Sequence, residues 1–287
     1  MANTYNHLAK LAIEKLDTNL FRGQPNDWPN RHVFGGHVVA QAILAATETV
    51  DDHFYLHSLH CYFLRPGIAG QDLIYDVDPI RNGRSFCTRR VNAIQNGEAI
   101  FSISLSFHIK EEGLVHQPVM PVVALPDDLL DDDIYFNKLL RPKDGPPIDR
   151  KSFFPFETRA LEHLDIENPE PKSSSTGFWF KLIETPDQTV ALNAALLAYV
   201  SDMSFLSSTL RPHGLIPRHK RLKNVASLDH SIWLHETDFD LTDWVFYQTD
   251  GEWTGNGRGL ARGRIFTHDG KHIASTSQEA LIRLCQE

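Results

Sequence analysis

One order of elements is written into this chain twice, and that repetition restricts its fold more than any single motif does. Residues 35–50, GGHVVAQAILAATETV, read as a glycine-started helix. The segments after it, YLHSLHCYFLRPG, DLIYDVDPIRNG, SFCTRRVNAIQNG and EAIFSISLSFHI, alternate apolar and polar residues as half-buried strands do. A second helix, over 192–210, is followed in turn by VASLDHSIWLH, DWVFYQTDG, GRGLARGRIFTHDG and HIASTSQEALIRL. The register repeats along with the order. RRVNAIQNGEAIFSISLSF (89–107) and ARGRIFTHDGKHIASTSQEA (261–280) each place a strand, an Asn-Gly or Asp-Gly turn and a second strand. Aligning Gly97 with Gly270 sets Ser104 against Ser277 and Leu105 against Gln278, and the same comparison sets Leu44 against Asp202. Each half is one long helix with antiparallel strands, and the sheet edge each half presents is free to pair with the other. The chain is therefore expected to be α+β, with two similar sheets joined and each wrapped around its own helix.

Between the repeats the composition changes. Nine of the 16 prolines fall between Pro118 and Pro171, together with the acidic run DDLLDDDI (127–134) and KSSST (172–176), which marks a connector. The expected division is an N-terminal domain over 1–117, a Pro-rich acidic connector over 118–175 and a C-terminal domain over 176–287. At 41% hydrophobic residues in 287, the chain can bury a sizeable core. A net charge of −9 without any Lys/Arg run argues against a nucleic-acid partner. No apolar run approaches the ~20 residues of a membrane span. The first residues, MANTYNHLAKLAIEKLD, lack the apolar stretch of a secretory signal, and RLCQE is no peroxisomal address, so the cytoplasm is the expected location.

Several chemistries are disfavoured by their missing motifs. There is no G-x-S-x-G elbow and no G-x-x-x-x-G-K-[ST] loop. GNGRGLARG (255–263) fails the dinucleotide fingerprint, because Leu260 and Arg262 stand where the third glycine is needed. Three cysteines without C-x-x-C spacing indicate neither a disulfide framework nor a zinc knuckle. HFYLHSLHC (53–61) gathers His57, His60 and Cys61, but strand alternation puts His57 and His60 on opposite faces, and a shared metal needs a break there. No metal or cofactor is expected. Arg258, Arg262 and Arg264 alternate onto one strand face, which suits either an anionic ligand such as phosphate or a solvated charged surface.

Three polar residues in the second half are oddly placed. On the helix, Leu192, Leu196, Tyr199, Met203, Leu206 and Leu210 form an apolar stripe with Ser201, Ser204 and Ser208 opposite. Asp202 falls among Ala198, Tyr199, Phe205 and Leu206, three and four residues away. Either backbone groups satisfy a buried carboxylate there, or it is a catalytic acid. Ser227 lies in VASLDHSIWLH, where alternation puts Ser227, Asp229 and Ser231 on one face and Leu228, His230 and Ile232 on the other. Gln278 replaces Leu105 of the first copy. Singly, Ser227 and Gln278 read as ordinary strand residues. Together, a carboxylate, a hydroxyl and an amide are able to hold one water: the first accepts its proton while the others fix its orientation.

At FRGQPNDWPNRHVFGGHVVAQAI (21–43), HSLHCYFLRPG (57–67), FCTRRVNAIQNGEAIF (86–101), YVSDMSFL (199–206), SLDHSIWLH (227–235) and ASTSQEALIR (274–283), the chain resembles the acyl-CoA thioesterase II family. The resemblance spans nearly the whole length, with only the connector loosely matched. It implies a double hotdog fold and hydrolysis of fatty acyl-CoA to free acid and coenzyme A. It places the family's catalytic Asp, Ser or Thr, and Gln on Asp202, Ser227 and Gln278, with a homo-oligomer, dimer or tetramer, as the assembly. Gly35 and Gly36 suit either a close backbone approach to substrate or tight helix packing, and Arg258 is a candidate for substrate binding. Two rivals stand beside this reading. A hotdog hydratase sets a His a few residues after its Asp, and DMSFLSSTL has none; a non-catalytic acyl-CoA binder would use the same polar cluster only to satisfy itself.

Overall fold

The computed structural model of the protein describes residues 7–26, 32–141, 145–184 and 189–285. In chain order its strands are β1 (Ile13–Asp17), β2 (Leu20–Gly23), β3 (Phe54–Phe63), β4 (Leu73–Asn82), β5 (Phe86–Gln95), β6 (Glu98–Ile109), β7 (Phe156–Ala160), β8 (Ser175–Leu182), β9 (Leu222–Ser227), β10 (Asp229–Leu234), β11 (Val245–Gly255), β12 (Arg258–Thr267) and β13 (His272–Leu284). Its α-helices are α1 (His7–Leu11), α2 (Gly35–Thr47), α3 (Asp132–Leu140), α4 (Val190–Ser201) and α5 (Ser207–Leu210).

The strands join in one sheet ordered β1-β2-β4-β5-β6-β3-β10-β13-β12-β11-β8-β7, with β9 also on β13. The two halves meet where β3 pairs antiparallel with β10, and His60 stands opposite Ser231 at the seam. On either side the repeat is visible: β6 sets Ser104 against His60, and β13 sets Ser277 against Ser231. These are the two joined sheets expected from the repeat, in the double hotdog arrangement that the family resemblance implies. The connector contributes more than a link, because β7 lies within it and extends the sheet beyond β8.

The turns follow from their residues. Asn96 and Gly97, with φ of 51° and 78°, close the β5–β6 hairpin, a left-handed pair that Asn-Gly adopts at little cost. Gly270, φ 88°, does the same work between β12 and β13. Alternation then turns Val91 and Ala93 of β5, Ile103 and Leu105 of β6, and Ala274, Thr276, Gln278, Ala280 and Ile282 of β13 inward, all buried. The inner face wraps α2 and α4, which pack against each other. A helix enclosed this way is apolar all round, and α4 (VALNAALLAYVS) is buried from Asn193 to Ser201. Thr189 caps it, its hydroxyl accepting from Leu192 N at 3.1 Å.

Three sequence expectations change. The helix expected over 192–210 stops at Ser201, with Asp202 as its C-cap; Ser204 then adopts φ 58°, and α5 begins at Ser207. The strand expected across 225–235 is interrupted at Leu228. Ser227 pairs with Ala280 and Ser231 with Ser277, so four residues oppose three and one is extra, a β-bulge. Inward-facing positions change parity there: Ser227 turns toward the helices, Ser231 outward to His60, and His230 inward, fully buried. A second bulge, between Leu56 and Ser58, puts His57 and His60 on the same outer face. There each ring bonds a serine, His57 with Ser106 at 2.8 Å and His60 with Ser231 at 3.0 Å, while Cys61 is buried on the inner side. Among the described residues no group of three His, Cys, Asp or Glu could hold a metal ion, and no helix is long and apolar enough to cross a membrane.

Candidate active site

Three strand and helix ends converge on one carboxylate. Asp202 sits where α4 ends, held there by its neighbours. Ser201 O accepts from Tyr247 Oη at 3.1 Å, Tyr247 Oη meets Thr276 Oγ1 at 2.9 Å, and Met203 N donates back to Val200 O. Ser201 Oγ donates to Ala198 O and meets Nε2 of His230, both at 2.9 Å. Burial lowers the His230 pKa to about 3, so at neutral pH the ring is an uncharged strut.

Gln278 Nε2 donates to Asp202 Oδ1 at 2.7 Å. The backbone N–H of Gly36 and the hydroxyl of Ser227 lie near this carboxylate and favour its charged form more weakly. Burial nevertheless wins, and the Asp202 pKa rises to about 6, with the Gln278 bond and the nearby Gly36 and Ser227 donors acting against the rise. The C-terminal end of α4 repels negative charge in the same sense. Asp202 as a residue is half-buried, whereas Gln278 is fully buried. With its nitrogen spent on Asp202, the amide oxygen of Gln278 has no hydrogen-bond partner among the described residues. A buried acceptor beside a carboxylate of raised pKa is an arrangement suited to receiving a water's two protons.

The two glycines divide the roles proposed for them. A Cβ on Gly36 would stand 2.3 Å from the backbone oxygen of Tyr199, so α2 and α4 approach too closely there for any side chain. A Cβ on Gly35 would stand 2.7 Å from Asp202 Oδ2 and 2.8 Å from the Phe63 ring. The start of α2, from the first half, thus abuts a carboxylate from the second. Arg258 stands apart at the start of β12, opposite Leu281 and ion-paired to Glu279 at 3.2 Å.

The structure brings together Asp202, Ser227 and Gln278, which the sequence singled out, and adds His230, Tyr247 and Thr276 beside them, which it did not. The bulge at Leu228 hides His230 by swapping faces, and Tyr247 and Thr276 look like ordinary strand residues. One inference from the repeat also fails. Twelve residues into each helix, counted from Gly35 and Val190, Thr47 rather than Leu44 matches Asp202. Only Leu105 and Gln278, buried inward-facing residues on equivalent strands, are a true apolar-to-polar exchange.

Known proteins share this architecture and sequence. The family described as Acyl-CoA thioesterase N-terminal domain matches residues 24–108, and that described as Acyl-CoA thioesterase C-terminal domain matches 139–282. Acyl-CoA thioesterase 2 of Haemophilus influenzae is 38% identical over 285 residues, covering 99% of this chain and 98% of that protein. Acyl-coenzyme A thioesterase 8 of Mus musculus is 35% identical, covering 96% and 88%. The crystal structure of the acyl-CoA thioesterase II TesB2 from Mycobacterium marinum superposes with a TM-score of 0.80 at 34% identity, over 98% of this chain and 99% of that one. A hot dog protein of unknown function from Alicyclobacillus acidocaldarius shares the fold at TM-score 0.76 and 18% identity. With both halves matched by the family's own domains and relatives aligned end to end, the chain belongs to the acyl-CoA thioesterase II family.

Proposed function

We propose that the protein hydrolyses fatty acyl-CoA to free fatty acid and coenzyme A with a water activated by Asp202, Ser227 and Gln278. The observation that carries this reading is the carboxylate of pKa about 6 bonded to a buried amide whose oxygen is unpartnered among the described residues. A water placed there gives one hydrogen bond to Asp202 and one to Gln278 Oε1, and its lone pair is left for the thioester carbonyl. Ser227 fixes the rotation. As the C–O bond forms, Asp202 takes the proton. The tetrahedral intermediate then expels the thiolate, which recovers that proton. Gly36 N–H lies toward Asp202, and the neighbouring N–H of this helix start, at Gly35, beside the same carboxylate, is the donor we assign to the oxyanion; losing one such donor typically costs ~2.7–4 kcal/mol of barrier. As written the reaction needs neither metal nor cofactor.

The acyl chain has an apolar cavity within reach, about 300 Å³, lined by Phe136, Leu139, Phe178, Met203, Leu215 and Ile216. Met203 follows Asp202 directly. The proposal includes the division at 1–117, 118–175 and 176–287, a cytoplasmic location, and self-association. The last is supported by Leu114, Val115, Val119 and Val122, all 91% exposed or more along the segment 114–122 that leads into the connector, which a second copy would cover.

Release of coenzyme A thiol from acyl-CoAs of several lengths, palmitoyl-CoA among them, tests the reading. Asp202→Asn is expected to lose ~10²-fold or more in kcat while still binding acyl-CoA. Full activity in that variant contradicts the assignment of the base. Binding without turnover by the unaltered protein points instead to an acyl-CoA-binding protein.

A further inference from the structure

A second cavity lies away from Asp202, at the end of the sheet. It has a volume of about 690 Å³ and is framed by Arg221 and Lys223 at the start of β9, Arg258 after the β11–β12 turn, and Arg283 near the end of β13. Leu210, Leu215 and Ile282 form its apolar side and belong to a small cluster with Ala280, separate from the main core. Glu279 holds Arg258, but no carboxylate among the described residues lies within ion-pair distance of Arg221, Lys223 or Arg283.

The placement of these cations is specific. β9 and β13 are neighbours in the sheet, and they are the two strands that carry Ser227 and Gln278. Four residues from Ser227 along β9 is Lys223; four from Gln278 along β13 is Ile282, followed by Arg283. At about 3.3 Å per residue, both paths put the cavity roughly 13 Å from the reacting centre. Gln278, Ala280 and Ile282 share the inner face of β13, where Ala280 and Ile282 are packed under Leu210 and Leu215, so a ligand arm reaching from the cavity to Gln278 passes at the edge of this cluster. Asn224 pairs with Arg283 and Leu222 with Leu284, which leaves Lys223 as the extra residue of a bulge, a device that re-aims a side chain. The turn beside it is fixed: Gly257 O accepts from Ile282 N at 2.7 Å, and Asn256 and Gly257 take φ of 49° and 72°.

An elongated ligand with its reacting atom at Asp202 would therefore place its far end among three cations that have no acidic partner among the described residues, beside an apolar wall. From this geometry we infer that the cavity binds the 3′-phosphoadenosine diphosphate end of coenzyme A, with Arg221, Lys223 and Arg283 meeting its phosphates and Leu210, Leu215 and Ile282 beside its ring. The inference rests on the hydrolysis of acyl-CoA proposed above and adds where the substrate's anionic end is held. Guanidinium and ammonium groups suit phosphate oxygens, and the strand pair gives the spacing between phosphate and thioester.

The test uses Arg221→Gln/Lys223→Gln/Arg283→Gln in the full chain; all three residues are exposed, and unchanged circular dichroism and Tm verify folding. For acyl-CoA the triple variant is expected to raise KM roughly tenfold or more with kcat within about twofold, since charged hydrogen bonds to phosphate are lost and the reacting groups are untouched. For the same acyl group on N-acetylcysteamine, which has no nucleotide, KM is expected to stay unchanged. Unchanged KM for acyl-CoA, or equal rises for both thioesters, overturns the site. Calorimetric titration with coenzyme A and with adenosine 3′,5′-bisphosphate separates this outcome from failure of the hydrolase reading. If the unaltered protein turns over neither thioester, binding of both ligands that the variant weakens tenfold still supports the cavity, and binding that the variant leaves intact overturns it. Inorganic phosphate competing as well as adenosine 3′,5′-bisphosphate also overturns it, by showing a general anion surface.

Discussion

Asp202 combines two opposing influences: removal from water, which disfavours its charge, and the hydrogen bond from Gln278 with the nearby Gly36 N–H and Ser227 hydroxyl, which favour it. The result, a pKa of about 6, leaves the carboxylate ionised at neutral pH yet basic enough to accept a proton from water. A base must be unprotonated to act, so kcat/KM for acyl-CoA is expected to climb as pH rises through about 6 and then level off. A flat profile between pH 5 and 8, measured by thiol release, would remove Asp202 from the role of base. At this scale much was legible in the sequence. The helical period exposed Asp202 as a carboxylate in apolar company, and the repeat exposed Gln278 as an amide where the first copy has Leu105. The support beneath them was not legible, because the bulge at Leu228 is set by pairing with β13 and carries no glycine or proline to announce it.

The elements meet at a close crossing of α2 and α4, and the two glycines there test different things. Gly36→Ala puts a methyl against the rigid Tyr199 carbonyl, so the helices must separate; a destabilisation of about 1–3 kcal/mol is expected as a lowered Tm. Gly35→Ala presses instead on the ends of two side chains, Asp202 and Phe63, and is expected to lower kcat more than Tm. Equal effects of the two substitutions on Tm and on kcat would contradict this division. The helices and hairpins were readable from periodicity and from Asn-Gly and Asp-Gly turns. The end of α4 was not, since the apolar pattern runs through to Leu210 and the left-handed residue is Ser204, which sequence does not distinguish from a helical serine.

Across the whole molecule the seam between β3 and β10 makes one sheet of two, and the candidate site is composite: Gly35 and Gly36 come from the first half, and Asp202, Ser227 and Gln278 from the second. That the halves would pair by their edges followed from the repeat; that connector residues would add β7 did not, because its prolines signal only a break in pattern. Burial has a global consequence for acid stability. His37 and His230 have folded pKa values depressed to about 4 and about 3, so the stability they contribute is complete above their unfolded value of 6.5 and is lost as pH falls toward 4 and 3. Asp202, raised from 3.8 to about 6, acts in the opposite direction between those values, since its folded form holds the proton more tightly. His272, depressed to about 4, and His57 and His235, also lowered by burial, act in the same direction as His37 and His230, so Tm is expected to fall between pH 6.5 and 4, and a rise over that range would contradict the neutral buried histidines. The central claim is that Asp202 receives a proton from water and never bonds the acyl group. Multiple turnovers in ¹⁸O-water followed by mass analysis of the Asp202 peptide test it most directly. Label in the released fatty acid with none in Asp202 is the expected result; label in the Asp202 carboxylate would reveal an acyl-enzyme anhydride and contradict the account.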